Sequence, residues 1–235
     1  RIGYYGGNGA RLIQDLGNFT GVDQNANPST AQIFDNATGL TDCGKWTVAT
    51  TWTVPSDAVS GLYIAKLTRS AAGGGGTSHI PFVVRNDTST ADLYFKTSDA
   101  TWQAYNGYNG YSLYVGAGMP FNHANKVSYN RPFVTRSGGG GGGANEDWFM
   151  NAEYPMIRFL ESNGYNISYT TDVDVARDYS SSINRILNHK IFLSVGHDEY
   201  WSKEERNSVE AAKAAGKNLA FFSVFLARRY PARVF

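Results

Sequence analysis

A short polar segment, Gly196 to Trp201, holds the residues of this chain that are best suited to chemistry. It reads GHDEYW and places a histidine and two acids, His197, Asp198 and Glu199, in consecutive positions. Imidazole and carboxylate groups transfer protons and bind metal ions. The structural alternative is that the two acids only face the positive end of a following helix. The segment alone leaves both interpretations open.

The flanking residues predict a strand before this segment and a helix after it. Lys190 to Val195 is a short apolar run typical of a strand. Ser202 to Ala215 predicts a helix, with a capping box formed by Ser202 and Glu205 and a C-terminal cap at Gly216. A second apolar run follows. In such a unit the turn lies at the carboxyl edge of a parallel sheet, where open α/β folds usually bind their ligands.

Composition limits the classes of protein and site. The net charge is +1 and the basic residues are scattered, so we expect no binding to nucleic acid. The only cysteine, Cys43, excludes an internal disulfide and a cysteine-based metal site, and we expect it to be a buried, inert thiol. The apolar stretch Leu219 to Ala227 is too short to span a bilayer. No targeting segment is in view, so the compartment, cytoplasmic or exported from a bacterium, stays open.

Residues 1–88 predict a β-sandwich of the immunoglobulin-like type. The chain there has short β-branched or aromatic runs, separated by turn residues and without helical periodicity. These predicted strands are Arg1 to Tyr5, Ala31 to Phe34, Lys45 to Val54, Ser60 to Leu67 and His79 to Arg85. Trp46 and Trp52 share one face of the third run; we expect them in the core, although such a pair could also stack on sugars. Gly73 to Gly76 predicts a hairpin loop.

The pattern changes near residue 88, where we place a boundary between domains 1–88 and 89–235. Strand and helix patterns then alternate, which predicts a mostly parallel sheet with helices on its faces. The predicted strands are Asp92 to Thr97, Lys126 to Val134, Ile167 to Thr170 and Lys190 to Val195. Helices are predicted from Glu153 to a cap at Gly164, over Ser180 to Leu187, and over Ser202 to Ala215. Loops are predicted over Ser98 to Asn106, over the six-glycine tract Gly138 to Gly143, and at Asp172 to Asp174.

Seven segments spread along nearly the whole chain form a recognisable set. They are RIGYYGGNGAR, SGLYIAKL, SHIPFVVRND, TSDATWQAYN, KVSYNRPF, EYPMIRFLESNGYNISYTTDVD and VGHDEYWSKEERNSVEAAKAAGKNLAFFS. In this order they resemble the large-subunit domain of the N,N-dimethylformamidase family. The resemblance implies a β-sandwich followed by a three-layer α/β domain similar to class I glutamine amidotransferases. The catalytic cysteine of those amidotransferases has no counterpart, since no cysteine follows Cys43.

The resemblance also implies a metal centre and an activity. The namesake enzymes are hydrolases that cleave the C–N bond of a small amide with one ferric iron, held by two tyrosinates and a glutamate. Matched motif by motif, the metal ligands are Tyr105 in TWQAYN, Tyr129 in SYNRPF and Glu199 in GHDEYW, and His197 is an acid/base group beside the metal. Glu199 and His197 are then the catalytic residues. Without the resemblance, both tyrosines would be assigned to packing. By family resemblance, a homo-oligomer or a small partner subunit is expected.

The end of the chain departs from the family pattern. After Ser223 the sequence reads VFLARRYPARVF, where the family continues with a glycine and an asparagine and then an aromatic pair. We therefore expect the α/β domain to be incomplete at its C-terminus. The leading hypothesis is an iron-dependent amide hydrolase, provided that the site is intact. The alternative is a non-catalytic or carbohydrate-facing interaction module of a larger exported bacterial protein.

Overall fold

The computed structural model describes residues 1–134 and 148–223 and has a mixed α/β fold. In chain order its strands and helices are β1 Ile33–Asp35, β2 Leu40–Asp42, β3 Gly61–Thr68, β4 Thr77–Val84, β5 Leu93–Lys96, α1 Asp99–Tyr105, α2 Glu153–Ser162, β6 Ile167–Thr170, α3 Asp172–Ser180, β7 Ile191–Val195, α4 Lys203–Ala214 and β8 Asn218–Phe222. The six-glycine tract and the C-terminal segment 224–235 lie outside the described residues. In the described part, no helix is long and apolar enough to cross a membrane.

A four-stranded parallel sheet with the order β6-β5-β7-β8 carries the second half of the chain. β5 pairs with β6 on one side and with β7 on the other, and all four of its residues are buried. This burial on both faces explains why the strand reads as a continuous run without alternation. The predicted parallel sheet is confirmed, with β5, β6 and β7 at the predicted places and β8 at the second apolar run, but the predicted strand Lys126 to Val134 is not part of it.

The first half of the chain holds two small antiparallel sheets instead of one large one. β1 pairs with β2, and the longer β3 pairs with β4 over eight residues each, closing a hairpin around the predicted glycine loop. In that loop Gly74, Gly75 and Gly76 all have positive φ, which glycine adopts readily. The predicted immunoglobulin-like sandwich is not confirmed by these sheets.

Three predicted strands are absent from residues that the structure fully describes. Residues 45–54 and 126–134 form no strand, and residues 1–5 contribute only an isolated bridge between Ile2 and Ala10. A strand needs a partner with which to form hydrogen bonds, and local β propensity does not supply one. Trp46 and Trp52 were expected to be buried in the core, but both are only half-buried. Trp52 does pack against the rings of Tyr63 and Phe82 on the hairpin.

The helices with strong terminal signals form where the sequence predicts them. At the start of α4, the Ser202 side chain accepts a hydrogen bond from the backbone N of Glu205 at 3.0 Å. Gly216 after α4 and Gly164 after α2 have φ of 79° and 74°. These are the left-handed values of a helix C-terminal cap.

Three other local predictions were wrong. Ser98 to Asn106 was predicted as a loop, but it contains α1, whose residues from Asp99 to Gln103 are all buried. A short helix that is buried all round has no amphipathic pattern to reveal it. Asp172 to Asp174 was predicted as a turn, yet these residues begin α3, with Thr171 as a side-chain cap. The helix predicted over Ser180 to Leu187 is absent, and a 3-10 turn, Arg185–Asn188, stands near its end.

One hydrophobic core joins the two halves of the chain. Ile2 and Leu62 from the first half pack in the same cluster as Phe95, Tyr169 and Leu193 from the parallel sheet. A polar link adds to this packing, since Tyr169 N donates to Ser60 Oγ at 2.9 Å. The proposed domain boundary near residue 88 stays a prediction. Cys43 is buried as expected, and burial raises the pKa of its thiol.

Candidate functional site

Two connections meet at the carboxyl edge of the parallel sheet. β5 leads through residues 97 and 98 into α1, and β7 leads directly into the Gly196 to Trp201 segment, as predicted. Gly196 has a φ of 97°, and a β-carbon there would lie 2.7 Å from Glu153 Oε1. Both the conformation and the lack of space require glycine at this position. The turn is thus built against the first residue of α2.

Thr101 in α1 holds the backbone of this turn. Its Oγ1 accepts hydrogen bonds from Glu199 N at 2.9 Å and from Tyr200 N at 3.2 Å. Thr101 is fully buried, so these bonds do not compete with water. The turn that carries Glu199 is therefore fixed to the helix that carries Tyr105.

Two tyrosine hydroxyls converge on one carboxylate oxygen. Tyr105 donates to Glu199 Oε2 at 2.9 Å, and Tyr114 donates to the same oxygen at 2.8 Å. The two phenol rings are stacked with centroids 4.1 Å apart. Glu199 is buried, whereas Tyr114 is 39% exposed, so the cluster reaches the surface through the Tyr114 ring. The structure thus brings Tyr105 to Glu199, and the ligand roles of both stay predictions.

Tyr114 was missed by the sequence reasoning. It lies in a loop rich in glycine, tyrosine and asparagine that has no periodicity. The loop is fixed to α1 by a backbone bond from Leu113 N to Ala104 O and by Arg131, which donates to Gln103 O at 2.7 Å. Arg131 also donates to the carbonyl of Tyr111 within the loop. These are tertiary contacts, and no local signal separates Tyr114 from Tyr108 and Tyr111, the two other tyrosines that follow Tyr105.

His197 lies inside the site, next to the carboxylate. Its Nε2 is 3.5 Å from Glu199 Oε2, and its ring is 5.4 Å from the Tyr105 ring, measured between centroids. The imidazole is buried. This position agrees with an acid/base group beside the three oxygen donors, although the role itself stays a prediction.

Tyr129 lies in a different cluster. Its hydroxyl donates to Asp99 Oδ2 at 2.7 Å, and Asp99 Oδ1 in turn accepts from Thr97 Oγ1 and from Asp172 N. The structure therefore places the Tyr129 hydroxyl on Asp99, whereas the Tyr105 and Tyr114 hydroxyls lie on Glu199. The ligand role expected for Tyr129 stays a prediction without support from this geometry.

Next to Asp99 and Tyr129, the buried ammonium group of Lys96 lies among three carboxylates. Lys96 Nζ forms ion pairs with Asp172, with Asp198 at 2.8 Å and with Glu205 at 2.9 Å. All four side chains are almost completely buried. Asp198 also accepts from Ser194 Oγ, so an interpretation in which this acid only faces the start of the following helix is incomplete. Asp198 anchors the turn to the ammonium group, and Glu199 beside it faces the phenols.

Burial alters the protonation of this edge of the sheet. Desolvation lowers the pKa of Lys96, but the three carboxylates outweigh it and hold the pKa well above its ordinary value. Burial raises the pKa of Glu205 to about 7 and that of Glu153 to about 8. Burial, together with hydrogen bonds to Tyr105, Tyr200 and Glu199, also raises the pKa of Tyr114. Without a nearby cation, Tyr114 therefore remains a neutral phenol.

A cavity of about 440 Å³ lies elsewhere, between the hairpin region and the far end of β6. Asp57, Arg1 and Glu161 are its charged lining residues, and Arg1 and Glu161 are paired with each other at 2.6 Å. Because this pair already neutralises both charges, the cavity offers less chemistry than the tyrosine cluster. We therefore take the cluster of Tyr105, Tyr114, His197 and Glu199 as the candidate site, called the tyrosine site below.

The tyrosine site fits a small, hard metal ion. Phenolate and carboxylate are hard oxygen donors, which suit Fe³⁺ better than soft metals. Adjacent oxygen ligands of one octahedral ion, each about 2.0 Å from it, lie about 2.8 Å apart. Tyr105 and Tyr114 each place a phenol oxygen at 2.9 and 2.8 Å from Glu199 Oε2. The spacing and the chemistry of this donor set are thus compatible with one shared ion.

The fold and the site together place this chain in the class of α/β proteins that carry an oxygen-donor site at the carboxyl edge of a parallel sheet. A family model described as "N,N-dimethylformamidase beta subunit-like, C-terminal" matches residues 1–224, and the chain therefore belongs to that family. The resemblance seen in the sequence is confirmed. No curated protein matches the chain.

Proposed function

We propose that this chain is a hydrolase domain that cleaves the C–N bond of a small amide with the help of one iron ion. The observation that carries the proposal is the convergence of Tyr105 and Tyr114 on one oxygen of Glu199. Membership in a dimethylformamidase beta-subunit-like family supports the reaction class. Within this proposal, Tyr105, Tyr114 and Glu199 hold the metal, and Tyr114 takes the ligand role that the family resemblance implies for Tyr129.

Bound iron would supply Lewis acidity toward an amide carbonyl and toward water. Protein residues supply the remaining functions. Thr101 fixes the direction of Glu199 through the backbone, so the carboxylate needs little reorganisation on binding. The burial of His197 and Glu199 limits the access of bulk water to one side of the site. The partly exposed Tyr114 ring leaves the other side open to a small substrate.

His197 is the residue that we propose to move a proton. Hydrolysis of an amide releases an amine, which leaves only after its nitrogen gains a proton. His197 Nε2 lies 3.5 Å from Glu199 Oε2, on the same side as the donor oxygens. A proton held on Nε2 would also be stabilised by the Glu199 carboxylate. His197 therefore accepts a proton from water and returns it to the amine.

Metal analysis and visible spectroscopy test the metal proposal directly. Protein expressed with iron is expected to hold about one iron per chain and to show a tyrosinate-to-iron absorption band. Hydrolysis of N,N-dimethylformamide and of simple formamides is then measured on the same sample. The expected result for His197→Ala is retained iron with lost turnover. Equal loss of iron in His197→Ala and Glu199→Ala would refute the division of roles.

A non-catalytic interaction module is the second candidate, and one observation favours it. Both phenol hydroxyls donate to Glu199 Oε2, and buried carboxylates in purely structural networks are satisfied by hydrogen bonds of this kind. This candidate predicts neither bound iron nor an absorption band in purified protein, and no amide hydrolysis. A carbohydrate ligand, or the partner subunit that the family description suggests, would then be sought by binding experiments.

A further inference from the structure

A third tyrosine hydroxyl touches the tyrosine site from outside. Tyr200 Oη donates a hydrogen bond to Tyr114 Oη at 2.6 Å. The two rings meet edge to face, with centroids 6.3 Å apart and an interplanar angle of 84°. This perpendicular arrangement directs the Tyr200 hydroxyl at the Tyr114 oxygen and does not place one ring over the other. The contact is therefore a specific hydrogen bond, supported by ring packing.

The backbone fixes Tyr200 to the same support as Glu199. Tyr200 N and Glu199 N both donate to Thr101 Oγ1. Tyr114 bonds to Glu199 Oε2 through its own hydroxyl. Tyr114 thus forms hydrogen bonds with two residues that are adjacent in sequence, Glu199 and Tyr200. The backbone from which the Tyr200 side chain projects is therefore fixed to the same support as the backbone of Glu199.

We propose that Tyr200 is a positioning residue that sets the electron density on the Tyr114 oxygen through this hydrogen bond. The inference rests on the proposed function, in which Tyr114 binds iron as a phenolate. A hydrogen bond from a neutral phenol to a charged oxygen is short and roughly twice as strong as a bond between neutral groups. Such a bond withdraws charge from the phenolate. Tyr200 therefore makes Tyr114 a weaker electron donor and leaves the metal more electrophilic.

The position of the absorption band reports this effect without any need for turnover. The band arises from transfer of charge from phenolate to iron, and its energy rises when a hydrogen bond stabilises the phenolate. Tyr200→Phe removes only the hydroxyl and keeps the ring. We expect the band of iron-saturated Tyr200→Phe to move to longer wavelength, because this hydrogen bond no longer stabilises the Tyr114 phenolate.

Tyr165→Phe is the matched control, because Tyr165 is an exposed tyrosine that lines the distant cavity. If the band of Tyr200→Phe stays where it is in wild type and Tyr165→Phe, or moves to shorter wavelength, the inference is overturned. A Tyr200→Phe protein that unfolds normally on heating but takes up no iron at saturation also overturns it, since Tyr200 would then belong to the binding set. Failure of the proposed function looks different: wild type itself would lack iron and the band.

Discussion

Two clusters at the same edge of the sheet each place a tyrosine hydroxyl on a carboxylate, and they differ in their cation. In the first, which we call the lysine cluster, Lys96 is paired with Asp172, Asp198 and Glu205, and Tyr129 donates to the neighbouring Asp99. The second is the tyrosine site. A single peptide bond joins them, between Asp198 and Glu199.

The comparison shows how one loop can serve stability and chemistry at once. The lysine cluster contains its own positive charge and is closed to water, so an added metal would have to displace the ammonium group. In the part of the chain that the structure describes, Glu199 pairs only with His197, which is charged only when protonated. The tyrosine site therefore has donors but no permanent cation. Because of this difference, our proposal places the iron ion in the tyrosine site and not in the lysine cluster.

The largest expected effect is on folding, from Lys96→Met. Removal of one partner from a buried ion pair leaves uncompensated charge and costs about 3–5 kcal/mol. With three carboxylates around Lys96, we expect the variant to be severely destabilised or unfolded, as measured by urea or thermal denaturation. The control is Lys190→Met, because Lys190 forms an exposed pair with Asp92 at 2.6 Å. The control should lose no more than about 1 kcal/mol, and equal losses in the two variants would contradict the comparison.

Adjacent acids should give opposite results. Glu199→Gln is expected to abolish iron retention and to change stability little, because the amide oxygen still accepts a hydrogen bond. Asp198→Asn weakens the pairing with Lys96 and should lower the free energy of unfolding by about 1–3 kcal/mol. Metal analysis measures the iron content of both variants, and denaturation measures their free energy of unfolding. Glu210→Gln on the exposed face of α4 is the control, and the comparison fails if both acids affect iron alike.

The two tyrosines separate the sites further. Tyr129→Phe leaves Asp99 without one of its donors, for an expected cost of about 1–2 kcal/mol and no change in the absorption band. Tyr114→Phe should remove about half of the band, because Tyr105 still contributes, with a smaller change in stability. Spectra and thermal unfolding of the two proteins, each with iron, provide the test. A band that is lost in Tyr129→Phe and kept in Tyr114→Phe would restore Tyr129 as the ligand.

A further expected effect is a change in the pH dependence of stability, from Glu153→Gln. Burial raises the pKa of Glu153 to about 8, from the ordinary value of 4.5. The folded protein therefore holds a proton that the unfolded chain releases, so this contribution to stability is complete below pH 4.5 and is lost as the pH rises toward 8. The slope is at most about 1.4 kcal/mol per pH unit for one proton. Denaturation curves between pH 5 and 8 should have a flatter pH profile for Glu153→Gln than for wild type.

The sequence predicts the parts of this structure that local rules determine. Ser202 and Glu205 mark the start of α4, and the alternation of apolar runs and helices predicts the parallel sheet with the polar turn at its edge. The prediction from sequence failed for α1, because a helix that is buried on all sides lacks hydrophobic periodicity. Tyr114 and Lys96 could not be assigned either. The hydroxyl of Tyr114 bonds to residues 85 and 86 positions away, and the carboxylates around Lys96 lie 76 or more positions away, so only the folded sheet brings them together.

The hydrogen bonds that the turn donates to Thr101 determine when, during folding, the tyrosine site can form. Thr101 and Glu199 are 98 residues apart, so the tyrosine site cannot exist until β7 has docked beside β5. Such long-range closure is slow compared with the formation of a helix or hairpin. A nascent or partly folded chain therefore lacks the assembled site, and an ion that binds it stabilises only the completed sheet. Iron retention would then serve as a marker of finished folding.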